Sequence, residues 1–161
     1  MTPAARAAAG AAKGVFMPPR GHETIDHTAD MGIRGWGGTP AEAFEEAAAA
    51  MLDLAADRSV LAASASVRVR RGAHDLTGLL LEFLNALIAE ADVAGLVLAD
   101  AAVDALSGED GAWEIEATAH GVPADEAREA LLVEVKAATS CGAFVRRESD
   151  GRWVAQCVVD L

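Results

Sequence analysis

Tyrosine is absent from this chain of 161 residues, aromatic residues make up only 4% of it, and cysteine occurs twice. Hydrophobic residues nevertheless reach 52%, much of it alanine. An aromatic-rich core is thereby excluded; an aliphatic, small-grained core of one domain remains, for which the length suffices. Cys141 and Cys157 form no CxxC pair, so neither a disulfide framework nor a thiolate metal knuckle is expected. No apolar run of about 18 residues is present, which removes a membrane-spanning helix. Basic residues are also scarce: 13 against 25 acidic ones, for a formal charge of −12. A surface this negative repels phosphate backbones, so direct, tight nucleic-acid binding is not expected. Cations and a basic partner surface are the fitting counterparts, and the chain reads as cytoplasmic.

The start of the chain is Ala-rich, with Arg6, Lys13 and Arg20 and no acid before Glu23. Arg6 and Lys13 interrupt any signal-type apolar stretch. Residues 1–21 therefore read as a disordered leader, with Met17 an alternative start, and residues 22–161 as the folded domain.

Glu23 to His27 and Met31 to Trp36 read as extended, punctuated by glycines. Thr39, Pro40 and Glu42 then agree on a helix start: an N-cap, a proline at the first helical position and a capping box. Phe44, Ala47, Ala48, Met51, Leu52 and Ala55 follow at helical spacing. Val67 and Val69 alternate with Arg68 and Arg70 as in a half-exposed strand. Asp75 caps a second helix, whose stripe is Leu76, Leu79, Leu80, Phe83, Leu84 and Leu87.

Strands fill the remainder. Leu96 to Leu106 and Ala112 to Ala119 flank a Gly-Glu-Asp-Gly turn. Leu131, Val133, Val135 and Ala137 alternate with Leu132, Glu134, Lys136 and Ala138. Ala143 to Glu148 and Trp153 to Asp160 flank Asp150-Gly151, a hairpin dipeptide. With one apolar side each, the helices belong on a sheet. The expected fold class is α+β: two layers, two helices packed on one face of a largely antiparallel sheet. If Asp150-Gly151 is a two-residue turn, Ser149 pairs with Arg152, Phe144 opposes Cys157, and Cys141 opposes Asp160.

Two places could carry chemistry. Asp160, beside the terminal Leu161, forms an oxygen-rich end suited to Mg²⁺ or Ca²⁺; by itself, a terminal aspartate is ordinarily just solvated. Asp26-His27-Thr28-Ala29-Asp30 gathers carboxylates and an imidazole, as a hard-metal ligand or an acid–base pair would, yet the same residues make a common polar turn. His22, His74 and His120 lie at element edges and read as solvent-facing. Trp36, Trp113 and Trp153 read as core or rim, and Glu134 with Lys136 as a surface ion pair.

As an ordered set, these segments resemble the archease family. The stretch from Asp26 to Gly38, the capped helix with Phe44 and Met51, Glu82-Phe83-Leu84-Asn85, Glu134-Val135-Lys136-Ala137 and the Val159-Asp160-Leu161 end occur in archease order. The likeness covers roughly residues 22–161. It implies a divalent metal, Ca²⁺ or Mg²⁺, held by Asp30, which closes His-Thr-Ala-Asp, together with Asp160 and Leu161. It also implies a functional role for Lys136 outside the metal shell, with His27 and Glu134 as neighbouring candidates. The family promotes guanylylation of the GTP-dependent RNA-splicing ligase in tRNA splicing and RNA repair, so a non-enzymatic activator of that ligase is the implied role. The family's usual Tyr-His after the lysine strand is Ser140-Cys141 here, opposite Asp160 by the hairpin register above. The segment before Leu131, which in the family often carries a basic residue and a histidine, reads Glu126-Ala127-Arg128-Glu129-Ala130. Competing readings are a small metal-dependent hydrolase built on His27, Asp30, Cys141 and Asp160, and a chaperone-like module using an exposed apolar sheet face.

Overall fold

The computed structural model describes residues 19–26 and 30–161. The Ala-rich leader, save its last residues, and His27 fall outside them. Among the described residues, seven strands and two α-helices make an α+β fold in which every strand pairing is antiparallel. The strands are β1 (Gly21–Asp26), β2 (Met31–Gly37), β3 (Ala65–Ala73), β4 (Leu96–Glu109), β5 (Ala112–Pro123), β6 (Ala137–Arg147) and β7 (Trp153–Asp160). The helices are α1 (Pro40–Ala55) and α2 (Leu76–Ala94). Where the sequence suggests one sheet, the strands divide into two, ordered β1-β2-β7-β6 and β3-β5-β4. Each helix packs against strands of both sheets: α1 on β1, β2, β7 and β4, α2 on β3, β4, β5, β6 and β7. No helix among the described residues is long and apolar enough to cross a membrane.

The caps form as the residue types require. Thr39 Oγ1 accepts the Glu42 amide at 3.1 Å, and Asp75 Oδ1 accepts the Gly78 amide at 2.7 Å. Glu42 reaches back to the amide of Gly38 at 2.8 Å, one residue earlier than a standard capping box. Both apolar stripes are buried except their ends, Ala55 and Leu76, which are half-buried. The helices meet where Phe44 stacks on Phe83 with ring centroids 5.9 Å apart. Truncating either ring to alanine leaves a cavity and costs about 3–5 kcal/mol. The three tryptophans sit half-buried at the rim. Alanine supplies much of the remaining core, as the composition demands.

The closest helix–sheet approach is at Gly35. A methyl group there would overlap the backbone of Glu46 and Ala47 in α1, so α1 rests directly on the main chain of β2.

Two expectations about strands need correction. Residues 131–136 do not form a strand. Apart from an isolated bridge between Leu131 and Ala56, they run from the end of α1 to the end of β7 without a partner, and β6 begins at Ala137. Alternation alone does not make a strand where no neighbour lies alongside. The C-terminal hairpin is also displaced by one residue. Arg147 pairs with Trp153 and Phe144 with Gln156, because the turn spans Ser149, Asp150 and Gly151 instead of two residues. Gly151 takes φ +90°, the left-handed position that closes three-residue hairpins.

Candidate functional site at the end of the four-stranded sheet

The ladders decide which sequence-marked residues meet. Met31 pairs with Val159, so Asp30, just before Met31, and Asp160, just after Val159, arrive at the same end of the sheet. On the other side of β7, Asp160 pairs with Ala137. The amide of Lys136 donates to the Asp160 carbonyl at 2.8 Å. Asp26 pairs with Met31 on the far side of β2 and reaches this end too. Asp160 and Lys136 are exposed, Asp30 is half-buried, and Leu161 packs part of its side chain on the core. Asp30, Asp160, Leu161 and Lys136 thus share one edge of the molecule. His27 lies outside the described residues.

The position of Lys136 is held from below by the last residue of the Glu82-Phe83-Leu84-Asn85 segment, to which the sequence assigns no role. Asn85, on α2, donates from Nδ2 to the Ala138 carbonyl at 3.0 Å and accepts the Ala138 amide on Oδ1 at 2.9 Å. A side-chain amide carries one donor and one acceptor at the spacing of a peptide unit, so it pairs with a strand edge as a neighbouring strand would. The start of β6, and with it the Lys136–Asp160 contact, is pinned to α2.

Glu134 and Lys136 are both exposed, and no ion pair joins them. Having no strand to set them on a common face, they lack the geometry the alternating pattern suggests. Cys141 does not oppose Asp160. Between Thr139 and Phe144 the register shifts, so Ser140 to Ala143 bulge outward against Cys157 alone. The Ser140-Cys141 departure therefore stands apart from the Asp160 pairing. Cys141 is exposed and Cys157 buried, both as free thiols.

His22 is not solvent-facing. Its Nδ1 lies 2.6 Å from Glu46 Oε1 and its Nε2 lies 2.8 Å from Asp53 Oδ2. Arg20 binds Glu45 and Glu46, Arg58 binds Asp53 and the Ala99 carbonyl, and Glu45 accepts the Val103 amide. This belt crosses the outside of α1 and ties β1 to β4. His120 likewise meets Asp100, at 2.8 Å, whereas His74 is exposed.

The donors at the sheet end fit a hard divalent cation in kind. The side chains of Asp30 and Asp160 and the main chain of Leu161 offer oxygen, the donor of Ca²⁺ and Mg²⁺. Among the described residues no three His, Cys, Asp or Glu side chains converge on one point.

The family model of the archease protein family matches residues 22–161. The chain is 38% identical to protein archease of Methanopyrus kandleri over 139 residues, covering 86% of this chain and 98% of the relative. Against protein archease of Pyrococcus furiosus the identity is 36%, with 86% and 97% covered. The solution structure of a Methanobacterium thermoautotrophicum protein superposes with a TM-score of 0.71 at 27% identity, covering 88% of this chain and 99% of the other. The crystal structure of an archease and possible chaperone from Thermotoga maritima gives a TM-score of 0.53 at 18% identity, with 86% and 96% covered, a likeness of fold alone. With nearly the full length of these relatives matched and the family pattern running from His22 to Leu161, the chain belongs to the archease family.

Proposed function

We propose that this chain is a metal-binding accessory protein that activates a GTP-dependent RNA-splicing ligase in the cytoplasm, promoting ligase guanylylation and repeated turnover, while the chemistry resides in the ligase. The observation that supports this best is the meeting of Asp30, Asp160 and Lys136 at one exposed sheet end. Asp30, Asp160 and Leu161 would hold the cation. A bound Ca²⁺ or Mg²⁺ supplies positive charge that draws phosphate oxygens toward an otherwise negative surface. Lys136 adds a second cation at the same end, without an ion pair among the described residues, to engage nucleotide phosphate or an acidic group on the ligase. Its main chain is tied to Asp160, so the lysine and the metal ligands move as one unit.

The same geometry speaks against the hydrolase reading. A cysteine nucleophile needs a base beside it and access to the activating ion, and Cys141 is carried away from Asp160 by the bulge.

The test is ligase guanylylation with labelled GTP, using purified ligase at limiting concentration with and without the chain. A faster rise of ligase–GMP and more than one ligation per ligase are expected. Equal rates in both reactions would end the proposal.

A further inference from the structure

Residues 131–136 are tied only at their ends. The Leu132 amide donates to the Ala55 carbonyl at 2.9 Å, and the Lys136 amide to the Asp160 carbonyl at 2.8 Å. Between these anchors the amides of Val133, Glu134 and Val135 donate to no described residue. The carbonyls of Leu131 to Val135 accept from none. The side chains are as open as the backbone: Leu131, Leu132 and Val133 are 51%, 61% and 46% exposed. Beside this segment runs a groove of about 660 Å³, walled by Met51, Leu52, Leu87, Ile88, Leu96 and Leu98.

We propose that Leu131–Lys136 is a docking strand for an extended segment of a partner protein. That segment completes the missing main-chain pairing, sets alternate apolar side chains into the groove, and carries basic residues at its flanks.

Three observations select this occupant. First, free N–H and C=O groups of alternate residues along one edge are matched by another peptide backbone, and strand addition at such an edge is an established mode of peptide recognition. A compact apolar ligand would leave them unmet. Second, the sequence here has the strand alternation already, with Leu131, Val133 and Val135 against Leu132, Glu134 and Lys136. The segment lacks only its neighbour. Third, the charge is net negative. Glu134 and Asp92 line the groove against the single Lys136 at its end, and the whole chain carries −12. A second copy is disfavoured on the same ground, since it would add a −12 chain to its equal. The inference needs neither the metal nor the ligase assignment.

The test begins with a randomised nonapeptide display library panned on the full chain and on a Val133→Pro, Val135→Pro variant that lacks two of the free amides. Alternating apolar peptides with basic flanks should be enriched on the wild type alone. The strongest peptide, added as a synthetic compound, should slow hydrogen exchange at Val133 and Val135, whose amides lie on the edge opposite the bonded Leu132 and Lys136 amides, by about tenfold or more. N-methylation of its alternate amides on the pairing side should weaken binding by about tenfold, the equivalent of about 1.4 kcal/mol. Glu134→Lys should weaken it as well. Equal enrichment on both proteins, or equal affinity of the N-methylated peptide, would overturn strand pairing. So would exchange protection that grows with protein concentration in the absence of peptide, since the occupant would then be a second copy. The N-methylated peptide keeps the test decisive even if the proline variant fails to fold.

Discussion

Asn85 pairs with Ala138 as one strand pairs with another, giving and receiving a hydrogen bond at 3.0 and 2.9 Å across the gap between α2 and β6. Ala138 is buried, so both of its peptide groups depend on this one side chain on that edge. Asn85→Ala removes both bonds and leaves a donor and an acceptor unmet. A loss of about 2 kcal/mol is expected, read from urea unfolding. Asn85→Asp keeps the acceptor but turns an oxygen toward the Ala138 carbonyl, and should be at least as harmful. A change under about 0.5 kcal/mol in both would show that the pairing carries no weight.

Lys136 behaves oppositely. Its side chain is exposed and makes no ion pair among the described residues, so Lys136→Ala should change stability by less than about 0.5 kcal/mol. Ligase stimulation, if the proposed function holds, should fall to the unassisted rate. Normal stimulation by a folded variant would remove Lys136 from the functional surface.

Asp30 and Asp160 should act as one site. Calorimetry with Ca²⁺ or Mg²⁺ on Asp30→Asn, Asp160→Asn and the double variant should give losses that do not add, because either change alone dismantles the shared coordination. Additive effects would indicate two separate weak sites, and unchanged affinity in the double variant would indicate none here.

Asp53 links stability to acid. Burial pushes its carboxyl up, but the hydrogen bonds and charges of Arg58 and His22 outweigh that and hold it below the usual carboxylate range. A carboxylate so depressed contributes stability that is present above its unfolded value and is lost as pH falls through the folded one. The window lies below about pH 4. The stability difference between wild type and Asp53→Asn should be present at about pH 5 and shrink below about pH 4. A difference that persists undiminished at about pH 2 would contradict the linkage.

The two thiols should separate cleanly. Burial pushes Cys157 up to about 12, while Cys141 stands exposed on its bulge. Only thiolate reacts, so a disulfide-exchange reagent at about pH 8 should titrate one thiol in the folded protein and two in denaturant. Rapid labelling of both without denaturant would mean that β7 opens readily.

The parts legible in the sequence are those set by local chemistry. Thr39, Pro40 and Asp75 announce both helix starts, and the Leu-rich stripe of α2 announces its buried face, because caps and periodicity depend on residues a few positions apart. What depends on distant neighbours is misread. The alternation at Leu131 to Ala138 is real, but whether it becomes a strand depends on what lies beside it, and nothing does until Ala137. The hairpin slips by one because Gly151 occupies the third turn position, a choice that the dipeptide Asp150-Gly151 does not specify. That slip, with the bulge after Thr139, moves the partner of Asp160 from Cys141 to Ala137. Asp30 and Asp160 are identified by family resemblance, and only the β2–β7 ladder brings them to one end of the sheet. His22 reads as a lone edge histidine because Glu46 and Asp53 lie far along the chain.

Gly35 sets a dimension. Elsewhere a layer of side chains separates helix from sheet, and such a layer behaves like a gasket whose thickness drifts as valine replaces alanine or leucine replaces valine. Between α1 and β2 the gasket is missing, and the gap is fixed by the van der Waals radii of two main chains. Asp30 adjoins the first residue of that same strand. The strand that leads to Asp30 is therefore seated on α1 by a contact between main chains, which substitutions among core side chains do not alter.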